Sequence, residues 1–272
     1  MASGISFLTW NVAGRVLAAP GQIDVLRERP ADVVALQEVR STTAATWSVA
    51  LGEAGYPYVE VTLAPGLPDA DPARRLGVLV ATRHPMVRLA SPELPRPERH
   101  LATVVDLPGG PVRVHAVHVP TSARSEAVKT RTLDALRAAV ADDDGVPAVV
   151  AGDLNTPRYE SREGDVRSFA RTRKGNLRAG FDERHDHAEL GVVPGLRDVG
   201  FVDVFRAVHG YGARDRSWVY PNGGMGYRLD HLFARGLAPV ACAYIHDWRE
   251  RRLSDHSALY AVLARPGERP EP

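Results

Sequence analysis

Residues 148–155 read Ala-Val-Val-Ala-Gly-Asp-Leu-Asn. A short apolar run stopped by glycine predicts a strand buried on both faces. Its ending is unusual. Asp153 and Asn155 stand two positions apart, so both side chains would face the same way if the strand continued. A carboxylate set against a buried run is costly unless it is paired or holds a cation.

Five other segments end in the same manner: Thr9-Trp10-Asn11, Leu36-Gln37-Glu38, Val117-His118-Val119-Pro120, Arg228-Leu229-Asp230-His231 and Ser254-Asp255-His256. Taken singly, each has a plain explanation. Asn before a glycine turn is a turn residue, Gly-Asp and Ser-Asp are turns or caps, and a solitary His such as His118 is a satisfied structural group. Taken together and in order, six such endings at one edge of a sheet would supply oxygen ligands for Mg²⁺ and two or three imidazoles. That is the equipment for hydrolysing a phosphate ester.

Around these segments the chain alternates strands and helices. Strands are expected at 5–12, 33–39, 58–63, 76–82, 100–107, 111–118 and 148–152, and helices at 23–29, 43–54 and 123–141. The last helix carries Val128, Leu133, Leu136 and Val140 on one stripe. Proline-rich surface connections are expected at 65–72 and 91–97. Residues 156–195 are rich in charge and poor in apolar residues, and read as a long functional or disordered loop. Within it, His185, Asp186 and His187 fit no zinc spacing and read as solvated loop. An amphipathic helix is expected at 196–208, then strands at 217–220, 227–233 and 257–263, with a further one at 240–245. No composition break divides the chain, so residues 1–265 read as one domain and 266–272 as a frayed tail.

Composition narrows the class. The 272 residues are 44% hydrophobic and 25% charged, which excludes a disordered chain. The formal net charge is +1, so any hold on a polyanion must come from local clusters. Lysine occurs only at Lys129 and Lys174, and arginine carries the rest of the positive charge. One cysteine, Cys242, excludes an intrachain disulfide. No secretory signal and no apolar stretch of bilayer length is seen, so the expectation is a cytoplasmic protein without membrane contact, and a monomer.

The chemistry follows from the residue types. Mg²⁺ takes one or two carboxylates and keeps several waters. Glu38 suits the main ligand, with Asn11 orienting it or touching the ion, and Asp255 as a second carboxylate. Asp153 and Asn155 can hold an attacking water and a phosphoryl oxygen. Asp230 and His256 read as a pair in which the carboxylate fixes the imidazole, leaving His256 as general base or cationic clamp. His118 can donate to a non-bridging oxygen or to the leaving group.

The ordered set Thr-Trp-Asn, Leu-Gln-Glu, His-x-Pro, Gly-Asp-Leu-Asn, Arg-Leu-Asp-His and Ser-Asp-His resembles the endonuclease/exonuclease/phosphatase superfamily over about residues 5–263. That resemblance implies a four-layer α/β sandwich, two packed mixed β-sheets flanked by helices as in deoxyribonuclease I. It implies a divalent-metal site (Mg²⁺ or Mn²⁺), with Asn11, Glu38 and Asp255 near the metal and His118, Asp153, Asn155, Asp230 and His256 catalytic. The segments His118–Arg124, Lys174–Phe181 and Trp218–Asp230 are similar to those of exonuclease III-type apurinic endonucleases. This implies DNA as substrate, with Arg124, Trp218 and Tyr227 contacting it. Two positions differ: His118 stands where those enzymes carry tyrosine, and Ala13 where they often carry aspartate. His118 is more like the deoxyribonuclease I and phosphatase branches, which keeps a small or lipid phosphoester as the alternative substrate.

Overall fold

The computed structural model describes residues 4–63, 76–121, 126–221 and 224–267. Arg124, the start of the expected 123–141 helix and the 65–72 connection lie outside them. The chain runs β1 (Ile5–Asn11), α1 (Ala19–Glu28), β2 (Val33–Arg40), α2 (Ser41–Glu53), β3 (Tyr58–Val61), β4 (Leu76–Thr82), β5 (Met86–Arg88), β6 (His100–Leu107), β7 (Gly110–His118), α3 (Glu126–Ala141) and β8 (Ala148–Asp153). It continues with β9 (Tyr159–Glu160), β10 (Val166–Arg167), α4 (Glu183–Val192), β11 (Val202–Asp203), α5 (Val204–His209), β12 (Trp218–Val219), β13 (Gly226–Tyr227), β14 (Asp230–Arg235), β15 (Ala238–Ile245), α6 (Asp247–Glu250) and β16 (Ala258–Ala264).

Two six-stranded sheets have the orders β15-β16-β1-β2-β4-β3 and β11-β14-β8-β7-β6-β5. Both are mixed, with β1/β2 and β7/β8 parallel and the other neighbours antiparallel. Strict alternation along the strands builds the layers. Phe7, Val33, Ala35, Val149 and Ala151 face the space between the sheets. Leu8, Trp10, Val34 and Leu36 face the other way, onto α1 and α2 through Ile23, Leu26, Trp47 and Leu51. On the second sheet, Val150 and Phe233 face Leu133, Leu136 and Val140 of α3 and Val192 of α4. The result is helix, sheet, sheet, helix: a four-layer α/β sandwich. Among the described residues no helix is long and apolar enough to cross a membrane.

The segment 156–195 is built rather than looped. It contains a small β9/β10 ladder and α4, whose start is closed by a capping box between Asp182 and His185. Asp186 is buried, accepting from Ser168 Oγ at 2.5 Å and Arg171 Nε at 2.8 Å. His185 and Asp186 therefore hold the insert together instead of standing in solvated loop. The expected helix over 196–208 is also broken. Gly200, with φ +83°, closes a 3₁₀ turn at Gly195–Val199, a short strand follows, and Asp203 caps α5 by accepting from the Arg206 N–H at 3.1 Å.

What fastens the insert to the second sheet is a buried ion cluster. Glu160 of β9 accepts from Arg206 Nε (3.1 Å) and Nη2 (2.8 Å), and from Arg228 Nε and Nη2 (both 2.8 Å). Arg228 also reaches Asp203 at 2.6 Å. Burial alone would raise the Glu160 carboxyl, but the two guanidiniums overcome it and hold the group down at about 2. A carboxyl lowered by folding stabilises the protein above its unfolded value, and that stability is lost as pH falls toward the folded value. We expect Glu160→Gln to cost about 3–5 kcal/mol, because it leaves buried guanidiniums without their counter-charge. Denaturant titrations should show the parent losing stability from about pH 4.5 down to about pH 2, with a flatter profile in the variant.

Candidate active site

The topology gathers the polar strand ends. The carboxyl ends of the parallel pairs β1/β2 and β7/β8 bring Asn11, Glu38, His118 and Asp153 to one edge of the sandwich. Antiparallel β14 begins at that edge with Asp230 opposite Asp153, and His256 precedes β16, the antiparallel neighbour of β1. Gly152 allows the closest approach. Its φ is +147°, and a Cβ there would run into the Val117 carbonyl of β7. With Gly152 in place, His118 lies in register beside Asp153.

Glu38 sits on a β-bulge between Gln37 and Val39, with φ +60°. A non-glycine residue in this region carries strain, of order 1–3 kcal/mol, and the bulge re-aims its side chain. Asn11 Nδ2 donates to Glu38 Oε1 at 3.1 Å and, across the gap between the sheets, to Asp153 Oδ2 at 2.9 Å. Its amide oxygen is occupied by the Ala13 N–H at 2.9 Å. Asn11 thus presents its nitrogen to the carboxylates and orients Glu38. Asn155, at φ +51°, donates from Nδ2 to Asp153 Oδ2 (3.2 Å) and to the Val119 carbonyl (2.8 Å).

Opposite them, His256 Nδ1 meets Asp230 Oδ2 at 2.7 Å and His256 Nε2 lies 4.0 Å from Asp153 Oδ2. Burial would lower this imidazole, but the Asp230 and Asp153 carboxylates overcome it and raise it to about 10, so it is a cation at neutral pH. Asp153 is pushed up to about 7 by its own burial and by the Asp230 carboxylate. His118 Nε2 is 3.4 Å from Glu38 Oε1 and 3.9 Å from Asp153 Oδ2. Burial, then the neighbouring Arg99 and His256, hold it well below the usual histidine range, so it is neutral.

Two groups form: Glu38–His118–Asp153 and Asp153–Asp230–His256, each with its ligand atoms within 4.8 Å of one another. They suit a hard divalent cation. Glu38 is the most open carboxylate, its side chain 23% exposed, against 2% for Asp153 and none for Asp230. Asp230 Oδ1 is buried without a hydrogen-bond partner among the described residues. The raised Asp153 carboxyl reflects its burial first and the Asp230 charge second, and a bound cation would oppose both. Asp255 is not part of either group. It stands in a bend next to His256, is exposed, lines the same cavity as His256 and Glu38, and accepts from Trp218 Nε1 at 3.2 Å.

A cavity of about 710 Å³ opens beside the cluster. Trp218 of β12 and Tyr227 of β13 form one wall, their rings parallel within 4° at 6.2 Å. Phe169 packs edge-on to Tyr227 at 5.0 Å, and Arg178 covers Phe181 at 5.1 Å. Trp10, by contrast, is fully buried in the core.

Three participants have weak sequence signals. Arg99 ends a proline-rich connection, yet its Nη1 lies 3.0 and 3.2 Å from the two ring nitrogens of His118. Phe169 lies in the charge-rich insert. Lys129 stands on the buried face of α3, where the expected stripe had Val128. Its ammonium donates to the Asn155 carbonyl and to Glu189 Oε1, both at 2.7 Å. Glu189 also accepts from Thr156 Oγ1 (2.8 Å) and the Phe169 N–H (2.7 Å). The presence of one of only two lysines at 129 in an arginine-rich chain is the available signal.

Known structures share this architecture. An AP endonuclease from Archaeoglobus fulgidus superposes with a TM-score of 0.73 at 21% identity, covering 95% of this chain and 99% of that one. An endonuclease/exonuclease/phosphatase protein from Beutenbergia cavernae gives 0.72 at 24%, with 98% and 72% covered. A 3′ phosphatase, NExo, from Neisseria bound to a product DNA hairpin gives 0.69 at 20%, with 94% and 98% covered. No curated protein sequence matches significantly. The family match spans residues 8–256 and thus all six polar strand ends, and the chain belongs to the endonuclease/exonuclease/phosphatase family, whose members are divalent-metal-dependent phosphoesterases.

Proposed function

We propose that this chain is a Mg²⁺- or Mn²⁺-dependent phosphodiesterase that cuts DNA, in the manner of an apurinic endonuclease. The observation that carries the reading is the convergence of Glu38, His118, Asp153, Asp230 and His256 beside an aromatic, arginine-bearing cavity. Asp153 and Asn155 place the attacking water in line with the scissile bond. Asp153, raised toward neutrality, is basic enough to take the water's proton. His256, held by Asp230 and charged, faces the phosphoryl oxygens and offsets the charge that develops on them. Arg99 adds a second cation behind neutral His118. Glu38, steered by Asn11, is the carboxylate that would hold the divalent ion, which supplies charge neutralisation on the phosphate.

Aromatic rings accept a base or sugar by stacking whatever the sequence, and Arg178 grips backbone without reading it. The structural neighbours described as an AP endonuclease and as bound to a DNA hairpin favour the same substrate. A small or lipid phosphoester is the second reading, favoured by the net charge of +1 and by His118.

The deciding assay is incision of a labelled duplex carrying one abasic site, beside an undamaged duplex and a panel of small phosphoesters. Selective incision supports the proposal. Turnover of small phosphoesters alone moves the enzyme to the second reading. Asp153→Asn is expected to lower turnover by at least about 10²-fold, as loss of a proton-transfer group does. It relieves repulsion with Asp230 but sets an amide N–H against donors from Asn11 and Asn155, so the metal site is read from the Tm gain on adding Mg²⁺ or Mn²⁺ to each protein, which should shrink in the variant. An unchanged rate would sink the assigned role. Lys129→Met strands Glu189 and is expected to cost about 3–5 kcal/mol. Adding Glu189→Gln should recover much of that stability but leave kcat low, because the Asn155 carbonyl still lacks its anchor.

A further inference from the structure

A second cavity, of about 320 Å³, lies on the far side of Tyr227, which lines both. Its wall carries five arginines, Arg158, Arg206, Arg214, Arg216 and Arg228, against two carboxylates, Glu160 and Asp215. The charges sort into two kinds. Arg206 and Arg228 are buried and consumed by Glu160 and Asp203. Asp215 is engaged with His246 at 2.7 Å. Arg158, Arg214 and Arg216 form no salt bridge among the described residues. Each is instead pinned by one nitrogen to a main-chain carbonyl: Arg158 to Arg171 at 3.4 Å, Arg214 to Glu160 at 2.5 Å and Arg216 to Gly224 at 2.7 Å.

Carbonyl ties also hold Arg15, Arg167 and Arg178, but Arg158, Arg214 and Arg216 share one hollow. A surface arginine with no carboxylate partner normally waves in water, and holding its guanidinium by a carbonyl orders the plane without neutralising it. Three such groups around one hollow make a preorganised site for an anion with several oxygens, and the guanidinium fork matches phosphate. The other arginines of the insert do not line this cavity. Arg171 is spent on Asp186 and Glu183, Arg167 bonds the Arg173 carbonyl, and Arg178 belongs to the first cavity.

We propose that this second cavity binds a backbone phosphate of a polynucleotide, displaced along the strand from the phosphate cut at the Asp153 cluster. Tyr227 is the partition the strand crosses. The inference rests on the DNA-cutting reading of the first cavity and adds the place of a second phosphate contact, at Arg158, Arg214 and Arg216.

The test uses the full chain and the triple variant Arg158→Ser/Arg214→Ser/Arg216→Ser, with circular dichroism and Tm confirming the fold. Binding is read without turnover, by anisotropy of a fluorescein-labelled duplex in EDTA across a salt series. Turnover is read separately on bis(p-nitrophenyl) phosphate and on oligonucleotides of increasing length. The expected result is an affinity loss for the duplex of at least about tenfold and a salt slope shallower by about 0.9, the contribution of the one phosphate contact that the cavity would supply. Turnover of bis(p-nitrophenyl) phosphate, which needs only the first cavity, should be unchanged, and the gain in kcat/KM with oligonucleotide length should disappear. Equal affinity and equal salt slope in parent and variant would overturn the proposal. If the variant misfolds, Arg158→Ser alone is expected to weaken duplex binding while leaving turnover of bis(p-nitrophenyl) phosphate unchanged, and equal affinity would count against the site. Failure of the catalytic reading looks different: no hydrolysis of any substrate by the parent, whatever the anisotropy shows.

Discussion

The side chain of Asn11 joins the two sheets at the edge where the chemistry lies. It belongs to β1 of the first sheet, and its amide nitrogen reaches Glu38 on the neighbouring strand and Asp153 on the opposite sheet. Two carboxylates from different layers are thereby held close in a buried space, which their mutual repulsion alone would not permit. The rest of the edge is arranged around that contact. Ser254 bonds the Asn11 carbonyl at 2.6 Å, and Trp10 Nε1 bonds the His256 carbonyl at 3.0 Å, so the same strand end that carries Asn11 also fixes the chain near His256.

The electrostatics of the site are kept out of balance. Glu38, Asp153 and Asp230 face the His256 cation, with Arg99 standing behind His118. The strain is visible in Asp153, raised to about 7, and in the unpartnered Asp230 Oδ1. At two buried ion pairs elsewhere, Glu160 between Arg206 and Arg228 and Lys129 against Glu189, charge is balanced closely. The contrast is physical. Structural ion clusters are satisfied by their own residues, whereas a site that takes a divalent ion and a phosphate must leave charge unmet.

The insert shows how far local reading reaches. Its high charge density suggested loop, because few apolar residues are present to drive collapse. Its order comes instead from partners remote in sequence. Glu160 meets Arg206 and Arg228, Glu189 meets Lys129 of α3, and Asp186 meets Ser168 and Arg171. No periodicity encodes such pairings. The 196–208 helix failed for a local reason that was legible, since Gly200 is a left-handed stop and Asp203 a cap.

The sequence by itself determined the strands and the polar residues that end them, because an apolar run followed by Asn, Glu, Asp or His is a short-range signal of period two. It also determined the layered α/β class, since strands buried on both faces require cover on both sides. Only the tertiary structure decided which of those residues meet. Asp255 and His256 are adjacent in the chain and line one cavity, yet they take different partners, one Trp218 and the other Asp230. Arg99 and Lys129 enter from a proline-rich connection and a helix face because burial and hydrogen bonding across 19 and 26 positions place them there. Contacts of that reach depend on how whole layers pack, and no local stretch of residues carries that information.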